Sequence, residues 1–103
     1  MANPMRIRAN LTGEVVEVKV LMRHDMETGQ RKDASGKAIP PHFIQTLVAK
    51  CNDKVVLDAQ MGTSVSKDPF LSFKFKGGAK GDKITITWTD NKGDTRTDEA
   101  AIA

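Results

Sequence analysis

The sequence predicts an all-β fold: an immunoglobulin-like two-sheet antiparallel sandwich of about seven strands. Three observations predict it. Apolar and polar residues alternate with period two through most of the chain, while helical periodicity is weak. β-Branched and aromatic residues occupy the alternating positions, where they suit a pleated, half-buried surface. Clusters of Gly, Asn, Asp and Pro interrupt the alternation at near-regular spacing. The 103 residues read as one domain, 1–103, long enough to bury roughly two-thirds of the unfolded surface. With 39% hydrophobic and 28% charged residues, the composition is that of a folded globular protein and excludes global disorder.

The elements follow in order. Arg6 to Leu11 alternates, with Ile7, Ala9 and Leu11 on one face, and Thr12-Gly13 turns the chain. Glu14 to Met22 is the clearest strand: Val16, Val18, Val20 and Met22 share a face, and Glu17 and Lys19 point the other way. Arg23 to Pro41 is a long polar connection, of a length that is uncommon in compact domains and often functional. His42 to Cys51 carries apolar residues on both faces, Phe43, Leu47 and Ala49 against Ile44 and Val48. Asn52-Asp53 then turns into Val55 to Met61, completing a hairpin. Gly62 to Asp68 is a loop closed by Pro69. Phe70 to Lys76 points Leu71, Phe73 and Phe75 inward, and Lys83 to Thr89 does the same with Ile84, Ile86 and Trp88. Asp90 to Asp94 is a hairpin turn, and Thr95 to Glu99 a last, weak strand. The expected core is Val16, Val18, Val20, Leu71, Phe73, Phe75, Ile84, Ile86 and Trp88.

Charge and cysteine usage narrow the function. A net charge of +3 is well short of the concentrated basic footprint of a nucleic-acid binder. Lys67, Lys74, Lys76, Lys80 and Lys83 outnumber Asp68 and Asp82, but with four Phe, one Trp and no Tyr there are too few rings to stack on bases, so these lysines read as a solvated face. A nucleic-acid-binding small β-barrel is therefore the second reading. No apolar run is long enough for a signal peptide or a membrane span. The single cysteine, Cys51, forbids an internal disulfide and reads as a packed small hydrophobe.

The constellations that could carry chemistry give way to plainer readings. Met22, His24 and Met26 form a soft donor set suited to copper, but Met22 is more simply core. His24, His42 and Cys51 lack the paired spacing of a zinc site, and no spacing joins Cys51 to either histidine as a catalytic dyad. Gly77-Gly78-Ala79-Lys80-Gly81-Asp82-Lys83 lies between strands and lacks the Lys-Ser or Lys-Thr of a phosphate loop. The expectation is a chain with no enzyme activity, no catalytic residues, no metal and no cofactor.

Four blocks, considered together, resemble the SoxZ family over about Arg6 to Glu99. They are Val20-Leu21-Met22-Arg23-His24-Asp25-Met26-Glu27-Thr28-Gly29-Gln30-Arg31-Lys32-Asp33, Ile39-Pro40-Pro41-His42-Phe43-Ile44, Ser64-Val65-Ser66-Lys67-Asp68-Pro69-Phe70 and Trp88-Thr89-Asp90-Asn91-Lys92-Gly93. The resemblance implies a non-catalytic partner subunit that binds the sulfur-carrier protein SoxY as a heterodimer. That subunit would present cysteine-bound intermediates to other Sox enzymes during oxidation of thiosulfate and other reduced sulfur compounds. It also implies the periplasm, reached by export with the partner. The tail Asp98 to Ala103 has neither cysteine nor glycine, so this chain is not itself the swinging carrier. Neither nucleic acid nor membrane is expected as a partner, and the isolated subunit is expected to be able to self-associate. The partner surface is expected on Arg23, His24, Met26, Arg31, Lys32, His42, Ile44 and Val48, because a strand apolar on both faces needs a second cover.

Overall fold

Alternating side chains bury one face of each strand only if two sheets close on each other, and the computed structural model, described over residues 4–62 and 65–103, shows that arrangement. Seven strands form: β1 (Arg6–Thr12), β2 (Val15–Leu21), β3 (Ile44–Cys51), β4 (Lys54–Gln60), β5 (Phe70–Lys76), β6 (Lys83–Asp90) and β7 (Thr95–Ala101). Every pairing is antiparallel. One sheet has the order β1-β2-β5 and the other β4-β3-β6-β7. Thr63 and Ser64, which fall in the Gly62 to Asp68 loop and open one of the resemblance blocks, lie outside the described residues.

The central strands hold the core. Val16, Val18 and Val20 of β2 face Ile84, Ile86 and Trp88 of β6, all of them buried. At roughly 1.5–3 kcal/mol for each fully buried large apolar side chain, these rows dominate the stabilisation. Between β1 and β2 the chain reverses within two residues, and Gly13 takes the left-handed conformation (φ 62°) that this tight turn requires.

The sandwich is sealed along one side only. The tail lies beside β1, with the Leu11 amide donating to the Ala103 carbonyl (3.0 Å) and the Ala103 amide to the Ala9 carbonyl (2.8 Å). This docking buries Ile102 and extends β7 past Glu99 to Ala101. Along the other side, among the described residues, no backbone hydrogen bond joins edge strand β5 to edge strand β4. Leu71, Phe73 and Phe75 are consequently half-buried, a correction to their expected place in the closed core. The lysines expected to share a face also divide: Lys74 and Lys76 lie on β5 in one sheet, and Lys83 opens β6 in the other.

Strand β3 departs from simple alternation. Its pairing with β6 steps from Ile44↔Asp90 to Thr46↔Thr89, leaving Gln45 as the extra residue of a bulge. A bulge resets which side chains face inward. Ile44 and Leu47, on opposite faces by simple parity, are therefore both fully buried.

Candidate metal centre

Three loops meet at the end of the sandwich where β2 stops, β3 starts and β6 stops. Beyond β2, the Met22 amide donates to the Pro69 carbonyl (2.9 Å). The His24 amide donates to Asp68 Oδ1 (3.1 Å) and the Asp68 amide to the His24 carbonyl (2.9 Å). These bonds carry the line of β2 onward until His24 lies over the core, 7% exposed. Met26 then adopts a left-handed backbone (φ 52°), which points its amide at His24 Nδ1 (3.1 Å). Its thioether accepts the buried Ile44 amide at 3.3 Å. The long loop returns through a bridge of Glu27 with His42, and the His42 ring is delivered beside the His24 ring with centroids 4.4 Å apart.

The third group is Asp90, the last residue of β6, whose carboxylate is fully buried. Its Oδ1 accepts the amides of Lys92 (3.0 Å) and Asp94 (2.9 Å). Its Oδ2 lies 3.1 Å from His24 Nε2 and 2.7 Å from His42 Nε2. Burial opposes ionisation of this carboxyl, but the hydrogen bonds from His24, His42 and the Asp94 and Lys92 amides together outweigh burial and hold it below the usual carboxylate range. Because His24 Nδ1 accepts the Met26 amide, the ring proton sits on Nε2 and is donated to Asp90. Trp88 packs edge-on to His24, centroids 5.1 Å apart, and floors the cluster. His42, its side chain 28% exposed, is the side open to solvent.

One ligand atom from each of His24, His42 and Asp90 lies within 4.8 Å of the others. Two imidazoles and one carboxylate make a recognised donor set for a divalent first-row metal. The separations also suit it, since two atoms that are each about 2 Å from one ion lie about 3 Å apart. Nearby, a cleft of about 450 Å³ is lined by Asp25, Met26, Glu27, Thr28, Arg31 and Lys67.

The residues singled out in the sequence scatter around this centre. His24 and His42 are in it, and Met26 supports it. Ile44 is fully buried, so it offers nothing to a partner; the bulge at Gln45 is the reason. Val48 is half-buried and pairs with Asp58 and Thr87. Arg31 is tied to Glu27 on the loop, Lys32 is exposed, and Arg23 lines a separate cleft with Pro4, Met5 and Arg6. The copper set does not assemble, because Met22 is core and the Met26 thioether is taken by Ile44. Cys51 sits at the opposite end of β3 from His42, 3.9 Å from Asp82 Oδ2, and burial pushes its thiol pKa up. Asp90 was missed as a candidate ligand. The signal was present: two residues beyond Trp88, it falls on the inward parity of β6, where an acid needs partners.

Fold and site together define an antiparallel β-sandwich with a histidine–histidine–aspartate cluster at one end. The chain belongs to the family of the sulphur oxidation protein SoxZ, whose sequence profile matches residues 5–101. No curated protein matches the sequence significantly. Among solved structures, a hypothetical protein from Pyrococcus horikoshii is similar, with TM-score 0.61 and 18% identity over 99% of this chain and 88% of that one. A point mutant of superoxide reductase (neelaredoxin) from Archaeoglobus fulgidus, in the reduced form, has TM-score 0.60 and 24% identity over 99% and 90%. The same reductase without that mutation has TM-score 0.53 and 22% identity over 97% and 87%. At these identities the likeness establishes the fold.

These findings correct the functional expectations drawn from the family resemblance. A chain without metal ligands or reactive groups was inferred from spacing along the sequence, and the convergence of His24, His42 and Asp90 overturns that inference. The same set stands against the expected non-catalytic sulfur-carrier partner and its heterodimer with SoxY, because it gives the chain a candidate metal site of its own, and solved structures that share the fold are named superoxide reductases.

Proposed function

We propose that this chain is a metal-binding β-sandwich in which His24, His42 and Asp90 hold one divalent first-row ion used for redox chemistry. The observation that carries this reading is the mutual approach of the three ligand atoms within 4.8 Å. Two histidines and one carboxylate, with positions left over, favour non-haem iron(II), which would supply a one-electron couple. His42 is the exposed side, so a small oxidant such as superoxide would approach there. The solved structures named superoxide reductases support testing that substrate first. The chain's own contribution is to fix Asp90 with two backbone amides and to exclude water with Trp88 and Ile44. We class the sandwich as immunoglobulin-like, because β1-β2-β5 and β3-β6-β7 match its A-B-E and C-F-G strands, while β4 has moved from the edge of the first sheet to the edge of the second beside β3. A periplasmic location, implied by the family resemblance, is part of this reading and is tested by cell fractionation.

One observation favours a second reading, a metal-free clasp. The Met26 amide directed at His24 Nδ1 keeps the proton on Nε2, where it serves Asp90 and not an ion. Anaerobic purification without chelators, metal analysis, and calorimetric titration with iron(II) and zinc(II) separate the two. One ion per chain, lost in His42→Ala, together with reduction of superoxide by the iron form, is expected. Absence of bound metal and of any binding heat overturns the metal reading and leaves the clasp.

A further inference from the structure

We infer that the free edge of β5 is a pairing surface for a second copy of this chain, which would join two three-stranded sheets into one of six strands. Among the described residues, strand β5 pairs with β2 on one side only, and its other edge carries unpaired backbone donors and acceptors. The inward side chains along that edge, Leu71, Phe73 and Phe75, are left half-exposed, and Phe70 on the outer face is 62% exposed. Such an edge normally requires a cover.

The sequence of β5 selects a copy of itself as that cover. Antiparallel pairing about a two-fold axis at Phe73 opposes Leu71 to Phe75 and Phe73 to Phe73 on the inner face. On the outer face it opposes Ser72 to Lys74 and Phe70 to Lys76. The inner pairs are apolar. The outer ones place an ammonium over an aromatic ring and a lysine against a serine. No lysine stands directly opposite another, and Glu17, 3.8 Å from Lys74, offsets part of that row. Moving the axis by one residue to Lys74 would oppose the two Lys74 side chains, which excludes that register. The lysines that would protect this edge from arbitrary strands thus permit pairing with itself in the Phe73 register.

One strand per copy is a small interface, so association should depend on concentration, with a dissociation constant in the micromolar range or above. Sedimentation velocity of the full chain from about 10 μM to about 1 mM tests this. Ser72 is exposed, so Ser72→Lys and Ser72→Glu should leave the fold intact, as circular dichroism would verify. By symmetry each change acts twice, opposite the two Lys74 residues. Ser72→Lys should weaken the dimer about fivefold and Ser72→Glu tighten it about fivefold. A monomer throughout the range, or equal effects of the two substitutions, would overturn the inference.

Discussion

Replacing Asp90 by Asn removes one charge from the cluster while keeping the side chain's shape, so it measures what the carboxylate does. The Asn oxygen can still accept the amides of Lys92 and Asp94. Its amide nitrogen then faces the two imidazoles. His42 can change tautomer and accept, but His24 cannot do so without setting an Nδ1 proton against the Met26 amide. At least one buried donor is left without a partner, at about 1–3 kcal/mol, and two hydrogen bonds to a charged acceptor are lost. A total of about 3 kcal/mol is expected, the lower end of what breaking a buried charged contact costs. At about 4–8 °C per kcal/mol, the unfolding midpoint should fall by about 12–24 °C. Urea unfolding followed by Trp88 fluorescence reports it directly, since that ring packs against His24. The pH dependence has a definite sign. Asp90's folded pKa is depressed, so its stabilisation is fully present above the unfolded value of about 3.9 and is lost as pH falls through the folded pKa. The variant should lack this share of the acid sensitivity. A loss of less than about 0.5 kcal/mol, the range of an ordinary surface substitution, would refute the reasoning.

Ile44→Asp should leave the chain unfolded, because an unpaired charge replaces a fully buried side chain at a cost above about 4 kcal/mol; far-ultraviolet circular dichroism checks it. Gly78→Ala should destabilise by about 1–3 kcal/mol in urea, since its Cβ would meet Val16 Cγ2 at 2.8 Å, Ile102 Cδ1 at 3.1 Å and Phe75 Cε2 at 3.2 Å. Cys51 should react slowly with a thiol reagent at pH 8 and at the free-cysteine rate in urea, because burial and the Asp82 carboxylate raise its pKa.

The strands were legible because the information that makes them is local. In β2, β5 and β6 a period-two pattern of valines, phenylalanines, isoleucines and threonines can bury one face only as a strand. How deeply each strand is buried is not local. Phe73 carries the same pattern as Val18, yet one is half-exposed and the other fully covered, since β5 is an edge and β2 the centre of the same sheet. Strand order fixes that difference, and alternation is silent about strand order. In β3 the pattern misled for another reason. Apolar residues on both parities suggested two apolar faces, and the bulge at Gln45 instead brings Ile44 and Leu47 to one.

The site was hidden for a related reason. Its three candidate ligands stand at 24, 42 and 90, at or just beyond the ends of three strands from two sheets, and only sandwich closure makes them neighbours. Motif spacing detects ligands carried by one hairpin or one helix, where sequence distance determines spatial distance. Here the decisive clue was a conflict. Extending the inward row Ile84, Ile86, Trp88 by two residues puts a carboxylate into an apolar interior, where it must be paired or neutralised. The chain carries two histidines, and each flanks a strand end. An inward acid at the end of β6 therefore required the partners that His24 and His42 supply, so the cluster follows from the cost of burying Asp90 and not from any spacing among the three.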